Sequence, residues 1–132
     1  MVPTELRVLA LGAVLLLVHI FVAGHFKTKQ YGLEWNMSAR DGTQPPLNAV
    51  AARMVRAQAN FLETLPIAII ALLGVVVAGR SGGISALGGW IWLGARVVYI
   101  PLYGYGVPKV RTLVYFASLI GLGMVIWPLL VP

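Results

Sequence analysis

Cysteine is absent from the 132 residues, and only four side chains are acidic. The first absence excludes disulfides, thiolate metal ligands and a cysteine nucleophile, so any thiol would have to arrive on a ligand. The second leaves little to balance ten lysines and arginines, and the formal net charge is +6. Charge of either sign is scarce, at 11% of residues against roughly 25% in ordinary soluble domains. A soluble fold this short must cover a large surface with polar groups, and a chain that is 59% hydrophobic does not have them. Lipid is therefore the expected solvent. The basic residues flank apolar segments and form no aromatic-interleaved patch, so no nucleic-acid partner is expected. His19 and His25 have no acidic or cysteine companions at ligand spacing, and no metal site is expected.

What the chain does have is four long apolar stretches. The first runs from about Leu6 to Gly24, too long for the core of a cleaved signal peptide. The third runs from about Ile84 to Tyr103 and the fourth from about Val110 to Val131. The second helix is expected from about Asn48 to Gly79, but its purely apolar part, Leu65 to Ala78, is too short to cross a bilayer. A span needs about 20 residues, so counting back from Gly79 brings Glu63 and Asn60 to the membrane boundary or inside it. Gly79 to Gly83 and Gly104 to Pro108 are tight links, whereas Lys27 to Leu47 is a longer first loop. The expected fold is all-α, a single domain over residues 1–132: an integral membrane four-helix bundle of up-down topology. Lysines and arginines concentrate on loops 1 and 3, which predicts a cytoplasmic position for these loops and puts both termini outside. Gly74 and Ala78, like Ala117 and Gly121, are small residues four apart and suit close helix contacts.

The chemistry concentrates on the second helix. Arg53, Arg56, Asn60 and Glu63 are spaced by 3, 4 and 3 residues, which places them within roughly a quarter of the helix circumference. Charge inside a span is costly and faces a protein interior or a hydrated cavity, so this face is expected to point at other helices. Arg96, Tyr99 and Tyr103, spaced by 3 and 4, share one face of the third helix, and Arg111 opens the fourth. An internal ion pair through Glu63 is one reading. The arginines outnumber the acid, however, and a buried arrangement of this kind is under-neutralised. The alternative is an anionic ligand: guanidinium groups suit carboxylates, Glu63 an ammonium, and the tyrosines a developing anion. A small zwitterion with excess carboxylates fits. Glutathione is one such molecule, and other peptides or amino acid conjugates fit equally well.

The run RAQANFLETLP with the later GARVVYIPLYGYGVPKVRT resembles the superfamily of membrane-associated proteins in eicosanoid and glutathione metabolism, in the form of its small bacterial members. The resemblance implies a homotrimer in the bacterial inner membrane, with glutathione as co-substrate held between neighbouring subunits. It implies that Arg56, Asn60 and Glu63 contact glutathione, with Gln58 contributing from the adjacent subunit's side and Tyr99 and Tyr103 completing the site. Arg53 and Arg96 join this binding group. Arg111 is the implied thiolate stabiliser, one residue out of register with the arginine of leukotriene C synthase, and Tyr103 is next. Thr64 stands where that enzyme has a tyrosine. The implied activity is a glutathione-dependent transferase or peroxidase acting on lipophilic electrophiles or lipid hydroperoxides that reach it through the bilayer. A non-catalytic lipid- or glutathione-binding relative is the alternative. A small multidrug transporter is a weaker one, because such proteins resemble each other in carrying an acid within the first span, and this chain has only Glu5 at its start.

Overall fold

The computed structural model describes residues 1–132 and is helical throughout, with no strand. Five helices follow in order: α1 (Thr4–Tyr31), the short α2 (Leu33–Met37), α3 (Ala49–Val77), α4 (Gly83–Gly104) and α5 (Pro108–Leu130). All but α2 are long and apolar enough to cross a membrane. The four-span bundle therefore stands, and the chain is an integral membrane protein. One bound differs from the sequence reading. The first helix continues past Gly24 to Tyr31, so Lys27 and Lys29 lie on a helix and not in a loop. At 29 residues, α3 is about 43 Å long, well over the roughly 30 Å hydrocarbon core.

Each span buries one stripe, made mostly of small or apolar residues, at three- and four-residue steps, the period that brings side chains onto one helical face. On α1 the stripe includes Val8, Gly12, Leu15, His19 and Ala23. On α3 it includes Ala57, Phe61, Ala68, Leu72 and Val75. Phe61 stacks on Trp92 of α4 at a centroid distance of 6.0 Å, in the middle of the core. The closest pairing is between α4 and α5, where Gly88 and Gly121 face each other so closely that a Cβ on Gly88 would lie 2.5 Å from the Gly121 carbonyl oxygen.

The helix ends are tied down individually. Asn48 caps α3, its side-chain oxygen accepting from Ala51 N–H at 2.9 Å. Gln30 clasps the first loop back onto α1, donating to Pro46 O at 2.9 Å and accepting from Asn48 N–H at 2.7 Å. Gly79 and Gly106 take positive φ in the two short links, which Gly does without the steric cost of a Cβ. Arg80 reaches to the end of α5, donating to the carbonyls of Pro128 and Val131. At the same end, Ser85 donates to the buried Glu5 carboxylate and accepts from Gly82 N–H.

Candidate functional site

Arg96 sits on the buried stripe of α4, where the three-residue step from Leu93 and to Tyr99 would otherwise call for an apolar side chain. It is 0% exposed. Its guanidinium carbon lies 4.4 Å from the Tyr99 ring centroid, 5.4 Å from Phe61 and 5.5 Å from Tyr115. Cation–π contacts of this kind are worth about 2 kcal/mol when desolvated. They satisfy the charge through the faces of the rings and leave the N–H edges untouched: none of the three guanidinium nitrogens has a hydrogen-bond partner. A buried, unpaired cation costs several kcal/mol. The aromatic cage offsets part of that cost and leaves donors free for an acceptor.

One turn further along α4, Tyr103 lies between two more arginines. Arg56 of α3 donates from Nε to the Tyr103 hydroxyl at 3.1 Å. Arg111 of α5 places its guanidinium 4.7 Å from the Tyr103 ring centroid and donates to the Tyr99 hydroxyl at 3.3 Å. Tyr99 and Tyr103 pack on each other at 5.5 Å. Three helices thus bring Arg56, Arg96 and Arg111 around two tyrosines, and none of the hydrogen bonds made by Arg56 and Arg111 goes to a carboxylate. The sequence spacing on α4 anticipates this grouping. The contributions of Phe61 and Tyr115 are missing from it, because contacts across helices leave no trace in the spacing along one helix.

The polar face of α3 meets expectation in part. Arg53 and Arg56 reach α4, at Gly104 O and the Tyr103 hydroxyl, and Asn60 is half-buried, whereas Glu63 is exposed and turned away from the bundle. The stripe through Ala57, Phe61 and Ala68 takes the inward position instead, because small residues let α3 pack closely and the four polar residues do not. The internal ion pair is likewise not formed. Glu63, the sole acid of the face, is turned outward and joins no hydrogen bond, and Asn60 Oδ1 is buried without a partner. Arg53 separates from the group altogether: its Nε donates to Gly104 O at 3.1 Å, and it lies against the α4–α5 link. Gln58 is half-buried on the far flank of α3.

These positions straddle the end of the apolar part of α3. Glu63 is about 21 Å from the start of α3, and 30 Å measured back from Val77 ends near Gln58. Glu63 therefore sits inside the hydrocarbon depth and Arg56 just beyond it. Residues 6–131 match the family model described as the MAPEG family.

The chain belongs to the MAPEG family.

No curated protein and no solved structure matches it. The MAPEG match spans all four membrane helices and both halves of the arginine–tyrosine cluster. It supports a membrane protein of glutathione- or eicosanoid-related metabolism in general terms.

Proposed function

We propose that this MAPEG protein binds glutathione through its arginine–tyrosine cluster and acts as a glutathione-dependent transferase or peroxidase on lipophilic electrophiles or lipid hydroperoxides. The observation that carries this reading is Arg96: a fully buried guanidinium with every nitrogen unpartnered, next to two further arginines that meet no carboxylate. Together they describe a site built for an anion. Asn60 Oδ1, buried and unpartnered, adds an acceptor suited to a peptide N–H. Glu63 supplies a carboxylate for an ammonium group. Donors for carboxylates, one amide and one anionic side chain match the polar inventory of glutathione.

In this reading Arg56 and Arg96 hold ligand carboxylates, Asn60 the peptide backbone and Glu63 the amine. Arg111 faces the thiol from α5, with the Tyr103 hydroxyl beside it. A guanidinium near sulfur favours thiolate over thiol by opposite charge. The thiolate then forms a bond to an electrophilic carbon, whose leaving group or double bond takes up the displaced electron pair. With a hydroperoxide it attacks the distal oxygen: an S–O bond forms as the O–O bond breaks, the alkoxide takes a proton from water, and a second glutathione reduces the resulting sulfenic acid to disulfide and water.

The exposed position of Arg56 and Glu63 belongs to the same proposal. A carboxylate at the depth of Glu63 is not left facing lipid, so a second copy of the chain covers the α3 face, and the site is completed between subunits of a homotrimer. Gln58 then contributes from the neighbouring chain. We place the protein in the bacterial inner membrane, as its resemblance to small bacterial members implies, with loops 1 and 3 cytoplasmic on the strength of the Lys and Arg distribution. The test is titration of the detergent-purified protein with glutathione, following ultraviolet thiolate absorbance. Stoichiometric thiolate near neutral pH, reduced in Arg111→Ala, supports the enzyme. Binding without thiolate leaves a non-catalytic family member, and no binding removes the proposal.

A further inference from the structure

A second feature shares no residue with the arginine–tyrosine cluster. Between α1 and α4 runs an apolar groove of about 550 Å³, with Leu11, Val14 and Val18 on one wall and Leu93 and Val97 on the other. At Ile100 and Pro101 it continues into a hollow of about 350 Å³, which adds Phe26 and Met54 and ends at Arg53 and Tyr105. Phe26 and Val50 join that hollow to a third depression, which carries Lys29, Gln30 and Asn48. From Leu11 to Phe26 the path follows about 22 Å of helix. One leaflet of a roughly 30 Å hydrocarbon core is about 15 Å deep. The groove therefore accommodates the chain of one leaflet and reaches the headgroup level.

Its chemistry is graded along that path. Hydrocarbon lines the first part, a guanidinium and a phenol the second, and an ammonium with two amides the third. Arg53 is fixed there by its Nε bond to Gly104 O, which leaves its two terminal amino groups for a ligand. None of the four acids lines any part of the path. An ammonium-bearing zwitterionic headgroup would find no carboxylate in it, whereas a headgroup of net negative charge would meet Arg53 and Lys29.

We infer that this groove seats an anionic phospholipid, with a chain between α1 and α4, the phosphate at Arg53 and Tyr105, and the rest of the headgroup toward Lys29 and Gln30. The inference stands apart from the proposed glutathione chemistry. It is tested by native mass spectrometry of the protein released from nanodiscs of equimolar phosphatidylglycerol and phosphatidylcholine. The wild-type protein should retain phosphatidylglycerol over phosphatidylcholine by roughly fivefold or more, the size of a contact or two between a cation and an anionic lipid surface. Arg53→Gln should bring the two lipids near parity, while Arg53→Lys keeps most of the preference. Val97→Trp, which fills the groove, should reduce retention of both. Melting temperatures near wild type show that the variants are folded, and Arg53→Lys with Val97→Trp carry the test if Arg53→Gln is not. Parity in the wild-type protein overturns the inference. So does a preference indifferent to Arg53→Gln, or a Val97→Trp protein that keeps its lipid but changes oligomeric mass, which would give the groove to subunit packing.

Discussion

Arg96 offers five N–H donors in a pocket of ring faces that accept none of them. In the proposed function Arg96 serves the ligand and not the fold, and replacing a buried charge by an apolar side chain of similar volume is often neutral or stabilising. Arg96→Met should therefore leave the melting temperature of the ligand-free protein unchanged or raise it, and weaken glutathione binding at least about tenfold. A large fall in melting temperature with binding intact would make Arg96 a structural residue. Glu63 is read differently, since it is exposed in the single chain and its assigned partner is the ligand's amine. Loss of one hydrogen bond to a charged group is worth roughly 1.5 kcal/mol, so Glu63→Gln should raise the Kd for glutathione about tenfold by titration. Affinity equal to wild type would remove Glu63 from the site.

At the scale of elements, α4 and α5 are held by backbone approach. A Cβ on Gly88 would also lie 2.7 Å from Met124 Cβ, and one on Gly121 would lie 2.6 Å from both Gly88 O and Trp92 N. Neither neighbour is a flexible side-chain end, so the helices themselves must separate. Gly88→Ala and Gly121→Ala should each lower stability by about 1–3 kcal/mol, the usual cost of overpacking. Gly94→Ala and Gly123→Ala, with open space at the Cβ, should be neutral or stabilising through helix propensity. Thermal melts of the four variants separate packing from propensity: equal shifts would discard the close contact. This pairing also marks the limit of what the sequence makes legible. Span number, the two short links and the span bounds other than the end of α1 follow from hydropathy and turn residues. Gly121 announces itself by its small neighbour four residues back, but its partner Gly88 does not, because the register between two helices is set by packing. The same limit explains the α3 face. Four polar residues at helical spacing identify a face, yet which face turns inward depends on the small-residue stripe beside it and on what other chains cover. Arg53 illustrates it at one residue, sharing the spacing of Arg56 and Asn60 while its long side chain reaches the α4 end instead.

For the whole molecule, the outward charge on α3 sets the problem of assembly. Ile67 and Ile70 continue the face of Arg56 and Glu63 one to two turns on, and Ile70 is 72% exposed. A purely lipid-facing helix would present only such residues. In the proposed trimer, one that carries an arginine and a glutamate above them forms a seam where polar groups meet a partner and apolar side chains pack against it. A bulky ring in the apolar half of that seam keeps the partner at a distance without adding charge. Ile70→Trp should therefore shift the detergent-solubilised protein from trimer toward monomer and reduce glutathione binding in parallel, because Asn60 and Glu63 then lose the surface that closes over the ligand. Ile120→Trp, at an α5 position 65% exposed and outside the depression that carries Arg111, should do neither. Mass determination and glutathione titration on the same samples decide it. If Ile70→Trp leaves the mass unchanged, the α3 face is not the subunit contact. If it yields monomers that bind glutathione as tightly as wild type, the site is complete within one chain, and the role given to the neighbouring subunit falls with it.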